Sequence, residues 1–263
     1  MGRVQTLSQI PALIAFDLDD TLAPSKSPAQ PRMLAVFARL LERTTVAVIS
    51  GGNFEQFEAQ LVSRLEGVDE VLLEKLHLLP TCGTRYERRS NGQWHTMYQE
   101  NLTAEERDSA LAALREEAER LGLWEQETWG EILEDRGSQV TFSALGQQAP
   151  VTAKQAWDAD GAKKNALRAA VADRLPGLEV RSGGSTSVDI TRTGIDKAYG
   201  MRKLAELTGI SLDDMLFVGD RLDPDGNDYP VLAMGVACRA VTDWEDTAAF
   251  LEQLLEENAK QGV

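Results

Sequence analysis

Asp17 and Asp19 stand one residue apart at the end of a short apolar run, residues 12–16. Two carboxylates this close repel each other unless a cation or a shared proton compensates them. The pair therefore points to metal binding or acid–base chemistry. Asp and Thr are also ordinary turn residues, so the stretch through Thr21 is equally a strand followed by an Asp-rich turn. Three more places carry reactive types in comparable settings. Ser50-Gly51-Gly52 follows a second apolar run, Lys197 begins a helical pattern, and Gly219-Asp220 ends a third run ahead of Asn227-Asp228. A glycine turn leading into a helix presents backbone N–H groups to an anion, and Ser50 adds a hydroxyl donor. Each feature has a plain structural reading: glycine is common at strand-to-helix turns for backbone reasons, and a single lysine is usually a solvated surface residue. Their common position, each at a strand exit or a helix start, is what favours a site.

The elements that must position these groups read as follows. Runs 12–16, 44–49 and 215–218 are too short for helices and suit strands buried on both faces of a parallel sheet. Open α/β sheets place ligand sites beyond the carboxyl ends of such strands. Pro31 opens a helix with Met33, Leu34, Phe37, Leu40 and Leu41 on one face. A second helix is expected over 54–65, and a third from 194–197 onward with Met201, Leu204, Ala205 and Leu207 inward. The terminal helix is expected to start at a capping box of Thr242 and Glu245. Between these α/β segments the pattern changes. Ser90-Asn91-Gly92 marks a hairpin, Thr103 and Glu106 cap a helix over 104–121, and strands are expected at 131–133, 139–145, 178–181 and 187–190, the last after Gly183-Gly184. A further helix spans 162–175. Strand pairs separated by helices suggest an α+β unit with an antiparallel sheet. The expected organisation is an α/β, Rossmann-like parallel-sheet core (1–82 and 188–263) with an α+β cap domain (83–187) inserted into it.

Composition narrows the function classes. The 263 residues carry a formal net charge of -15, which disfavours a nucleic-acid partner. Cys82 and Cys238 lack metal-type spacing, and the two histidines, His77 and His95, leave no material for a histidine metal site. Residues 1–9 lack the pattern of a signal peptide, and no apolar run is long enough for a membrane span. A cytoplasmic protein without a membrane partner is expected.

The series Asp17-Leu18-Asp19-Asp20-Thr21, Ser50, Lys197 and Gly219-Asp220 followed by Asn227-Asp228 resembles the haloacid dehalogenase-like (HAD) superfamily. An insertion between Ser50 and Lys197 is similar to that of its subclass IIB, with a large α+β cap. Within it the chain looks most similar to eukaryotic-type phosphomannomutases, through residues 49–55, Ser187-Val188-Asp189, Gly194-Ile195-Asp196-Lys197 and the spacing of 219–228. The resemblance implies phosphoryl transfer. Asp17 would be the nucleophile and Asp19 the acid and then base. Mg²⁺ would be held by Asp17, Asp220 and the main-chain carbonyl of Asp19. Ser50, Lys197, Gly51 and Gly52 would hold phosphate, and Asn227 and Asp228 would support them, Asp228 by orienting Lys197 or metal-bound water. Asp20 replaces a glycine common in the mutase motif and is given no chemistry.

Arg136, Ser187 and Asp189 match substrate-contacting positions of the mutases. Two other mutase arginines fall here on Gln147 and near Trp129, and Ser25 stands where a further one is found, next to Lys26. A mutase must hold a second phosphate, a task suited to arginine. The expectation is therefore a Mg²⁺-dependent phosphatase acting on a sugar phosphate or another small phosphorylated metabolite. Alternatives are a phosphohexose mutase and a non-catalytic phosphate-binding protein. The resemblance also implies a homodimer formed through the cap.

Overall fold

The computed structural model describes residues 9–183 and 186–261. The expectations for residues 1–8 and for Gly184 lie outside them. In chain order the elements are β1 (Leu13–Phe16), α1 (Pro31–Leu41), β2 (Thr45–Ile49), α2 (Phe54–Gln60), α3 (Glu70–Leu73), β3 (Leu76–Leu79), β4 (Arg85–Ser90) and β5 (Gln93–Gln99). They continue with α4 (Ala104–Arg120), β6 (Leu133–Asp135), β7 (Gln139–Ser143), α5 (Val151–Trp157), α6 (Ala162–Arg174), β8 (Leu178–Ser182) and β9 (Ser187–Arg192). The last are α7 (Lys197–Thr208), β10 (Met215–Gly219), α8 (Tyr229–Ala233), β11 (Ala237–Ala240) and α9 (Trp244–Gln261).

Two compact units result, one of residues up to Tyr98 and from Asp196 onward, the other Gln99–Ile195. The first is an α/β unit around a seven-stranded sheet in the order β11-β10-β1-β2-β3-β4-β5. From β11 to β3 all neighbours are parallel. Alternation along the strands feeds two cores. Ile14, Phe16, Val46, Val48, Leu216 and Val218 meet α1, α2 and α9 on one face, while Leu13, Ala15, Ala47, Ile49 and Phe217 meet α7 and α8 on the other. The chain runs outward from β1 to β3 and later returns to β10 on the other side of β1. The carboxyl ends of β1 and β10 thus flank the point where strand order reverses, the position at which such sheets bind ligands.

The second unit is α+β. Its sheet runs β6-β7-β9-β8, with every pairing antiparallel. One face, with Val140, Phe142, Val180, Val188 and Ile190, packs on α4 and α6. Thr103 and Glu106 form the expected capping box of α4.

Several expectations are corrected. The boundaries fall at 98/99 and 195/196 rather than at 82/83 and 187/188. The hairpin at Asn91-Gly92, where both residues take the positive φ that a type I′ turn needs, adds β4 and β5 to the large sheet because β4 pairs with β3. The strand beginning at Ser187 belongs to the smaller sheet, between β7 and β8. Its apolar residues alternate with Ser187, Asp189 and Thr191, as suits a strand buried on one face. The helix expected over 54–65 ends at Gln60 and gives way to a 3-10 turn, Val62–Arg64. The cap of α9 is Asp243, whose carboxylate accepts the N–H groups of Glu245 and Asp246, instead of a Thr242–Glu245 box. Aspartate is a preferred N-cap residue, and from one position closer to the helix it reaches those donors directly.

β3 carries a buried histidine that sequence periodicity passed over. His77 Nδ1 and the Tyr86 hydroxyl share a 2.8 Å hydrogen bond. Burial, with the charge of Arg88, lowers the His77 pKa from 6.5 to about 3. The unfolded chain therefore binds this proton first as pH falls. The histidine's contribution to stability is complete above about pH 6.5 and is lost toward pH 3, with a slope of up to about 1.4 kcal/mol per pH unit. Urea denaturation at stepped pH tests this: His77→Gln, neutral throughout, should lose less stability than the parent below pH 6.5.

Candidate active site

Asp17 follows β1 directly, and its N–H donates to the Val218 carbonyl of β10. Lys197 is the first residue of α7, whose N-cap is Asp196, accepting from the Tyr199 N–H. The first turn of α7 comes close to the sheet because residue 200 is glycine. A Cβ there would lie 2.8 Å from the Cys82 carbonyl oxygen. Asp220 follows β10, and Asp228 returns to it from the intervening loop. That loop is closed by the Asp228 N–H on the Arg221 carbonyl and by the Arg221 N–H on Asp228 Oδ2. Gly219 and Gly226 are both needed for it, since a Cβ on the first would strike the Asp228 carboxylate and on the second the Arg221 carbonyl.

These elements bring four charged groups together. Lys197 Nζ lies 2.6 Å from Asp17 Oδ1 and 2.5 Å from Asp228 Oδ1. The Lys197 and Asp228 side chains are 1 % and 0 % exposed, so neither ion is stabilised by water. Burial alone would lower the Lys197 pKa, but the facing carboxylates of Asp17 and Asp228 reverse this and raise it. Burial raises the Asp17 pKa well above the usual carboxylate range, against the pull of Lys197 and with the help of Asp228 and Asp220. Asp220 shifts upward for the same reasons, burial first and Asp228 next, and its Oδ1 accepts a long 3.4 Å hydrogen bond from Thr21.

Oxygens of Asp17, Asp220 and Asp228 lie within 4.8 Å of one another. When all three carboxylates are ionised they exceed the Lys197 ammonium by two negative charges. An all-oxygen donor set with that excess fits a hard divalent cation such as Mg²⁺. Asp228, expected only in a supporting role, is thus both the partner of Lys197 and a member of the acidic cluster.

Asp19 lies outside that cluster. Its Oδ1 accepts from the Lys26 N–H at 2.7 Å and from Gln60 at 3.1 Å, and its Oδ2 accepts from Gln56 at 2.8 Å. Gln56 and Gln60 are absent from the sequence expectations, although their i, i+4 spacing after the Gly51-Gly52 turn puts them on one face of α2. Ser50 is buried, and its hydroxyl oxygen accepts the Gly52 N–H at 3.1 Å. Asp20 has φ +55°, where glycine is at ease, and its carboxylate caps the turn by accepting the Ser25 N–H. Asn227 is exposed.

Arg136, Ser187 and Asp189 belong to the second unit and share the polar face of its sheet. Asp189 accepts from Thr141 at 2.8 Å, and Ser187 and Ser143 hydroxyls are 3.3 Å apart. The Arg136 side chain is 8 % exposed and pairs with Glu134 at 2.8 Å.

Removing one member of a buried ion cluster leaves the rest uncompensated. Lys197→Met should therefore destabilise the metal-free protein by about 3–5 kcal/mol at neutral pH, measured by urea unfolding. An unchanged midpoint would mean that the carboxylates are already neutral.

The family model described as eukaryotic phosphomannomutase matches residues 33–257, a range that holds Ser50, Lys197, Asp220 and Asp228. Phosphomannomutase 1 of Mus musculus is 26% identical over 234 residues, covering 84% of this chain and 83% of its own. The phosphomannomutase of Schizosaccharomyces pombe is 25% identical over 260 residues, covering 92% and 93%. A haloacid dehalogenase-like hydrolase from Bacteroides thetaiotaomicron shares the fold, with a TM-score of 0.59 at 18% identity, covering 93% of this chain and 99% of its own. With the site and the fold in agreement, the chain belongs to the eukaryotic phosphomannomutase family.

Proposed function

We propose that this protein is a Mg²⁺-dependent phosphohexose mutase that works through a phosphorylated Asp17. The observation that carries the reading is Lys197 Nζ held between Asp17 and Asp228, with Asp220 at hand. A buried carboxylate beside a fixed cation and an oxygen-rich metal site is what attack on an anionic phosphate requires. The relatives' names favour a mutase over the phosphatase expected from sequence.

In this reading Asp17 attacks phosphorus, and the P–O bond to the sugar breaks. The departing oxygen takes a proton from Asp19. In the second half-reaction another sugar hydroxyl attacks the phosphoryl group, gives its proton to Asp19 and frees Asp17. Lys197, Ser50 and the N–H groups of Gly51 and Gly52 hold phosphate oxygens. A Mg²⁺ ion held by Asp17, Asp220 and the Asp19 carbonyl, with Asp228 in support, would neutralise phosphate charge and polarise the phosphoryl group. Arg136, Ser187 and Asp189, which match substrate-contacting positions of the mutases, are the second unit's candidates for substrate contact.

One observation favours hydrolysis as a second reading. Arg136 is engaged with Glu134, Gln147 donates to Ser143, and Trp129 is exposed where relatives were expected to supply arginine. A weakly held bisphosphate would leave phosphorylated Asp17 to water.

Incubation with mannose 1-phosphate, catalytic hexose bisphosphate and Mg²⁺, followed by phosphorus NMR, separates the two. The mutase reading expects the 6-phosphate to form with little inorganic phosphate. Inorganic phosphate equal to the substrate consumed would replace it with the hydrolase. Separately, saturating Mg²⁺ should stabilise chelator-treated protein by about 2.7 kcal/mol at a hundred times Kd, seen as a rise in Tm. Asp220→Asn should abolish that rise.

A further inference from the structure

Asp19 is the proton carrier in the proposed reaction, and the structure surrounds it with a specific set of donors. Gln60 is 2 % exposed. Its Nε2 reaches Asp19 Oδ1 at 3.1 Å and the carbonyls of Ser27 at 3.2 Å and Pro24 at 3.5 Å. Its Oε1 accepts from Gln56 Nε2 at 2.8 Å, and the same Gln56 Nε2 donates to Asp19 Oδ2 at 2.8 Å. The two amides are thus locked in orientation. Turning either one over would set a carbonyl oxygen against the carboxylate. Gly52 makes room for this arrangement, since a Cβ there would strike the Gln56 amide.

The donors are unequally shared. Asp19 Oδ1 accepts two hydrogen bonds, from the Lys26 N–H and Gln60, and Oδ2 accepts one, from Gln56. A carboxylate oxygen offers two lone-pair positions, so Oδ1 is filled and Oδ2 keeps one open. We propose that Gln56 and Gln60 are positioning residues that hold the Asp19 carboxylate so that Oδ2 exchanges the proton with the oxygen entering or leaving phosphorus. An amide suits this task because it donates without adding a charge. Lysine at either position would add a positive charge beside Asp19, and glutamate would repel it. Gln60 ties the same carboxylate to the 24–27 loop, so the loop and the proton carrier are held by one side chain.

The inference rests on Asp19 as the acid and base, and the leaving group separates the two claims. A hexose phosphate expels an alkoxide that needs a proton, whereas 4-nitrophenyl phosphate expels a phenoxide that needs far less help. With Mg²⁺ present, Gln56→Met should lower kcat on the hexose phosphate roughly a hundredfold, the scale of a misplaced catalytic group, with KM little changed. The pre-steady-state burst of nitrophenol should stay near that of the parent. Gln60→Met should act likewise, and Gln56→Met, at a half-buried position, suffices if that variant does not fold. Asp19→Asn is the control. If it lacks this leaving-group dependence, the role of Asp19 itself is wrong. If it has the dependence and Gln56→Met slows both substrates equally or neither, the positioning role is refuted.

Discussion

An ammonium buried between two carboxylates is the constraint on which the α/β unit depends. Lys197 cannot leave water without Asp17 and Asp228, and neither of them can without Lys197. The arrangement is possible because three separated stretches of chain end at one edge of one sheet. β1 and β10 are parallel neighbours, so Asp17 and Asp220 emerge side by side. α7 brings its first turn to the same edge across a glycine contact that admits no side chain. The loop after Asp220 folds back to deliver Asp228. The all-oxygen cluster that Asp17, Asp220 and Asp228 form fits a hard divalent cation.

Much of this was legible in the sequence because buried parallel strands are short apolar runs and their exits are where reactive groups collect. Asp17, Ser50 and Asp220 could be placed from that rule, and Lys197 from its position at the start of a helix. What escaped had weaker local signals. β3 reads Leu-His-Leu-Leu ahead of a proline, and its histidine interrupts the apolar run, although it is buried against Tyr86. The β4–β5 hairpin was visible at Asn91-Gly92, but which sheet it joins is decided by long-range pairing with β3. β9 has an alternating pattern that distinguishes it from a core strand, yet its likeness to a sugar-contacting motif does not say where the domain boundary lies. Gln56 and Gln60 were invisible as functional candidates because an amide on a helix is usually just polar surface. Only the fold places Asp19 opposite them.

The two units divide the work by their kinds of burial. Strands covered on both faces leave only their ends for chemistry, and the α/β unit puts its charged groups there. The antiparallel sheet of the second unit gathers its apolar side chains on one face, and its other face carries a row of polar side chains, of which Thr141 and Ser143 are buried. Thr141, Ser143, Ser187 and Asp189 form this row, bordered by Arg136 with Glu134.

The central claim is that Asp17 receives the phosphoryl group. The direct measurement is rapid acid quench of the Mg²⁺-loaded protein during turnover, followed by peptide mass spectrometry. The account predicts a phosphorylated peptide in which the modification maps to Asp17, absent from Asp17→Asn. Turnover without any phosphorylated peptide under conditions that trap acyl phosphates, or a modification at another residue, would contradict it.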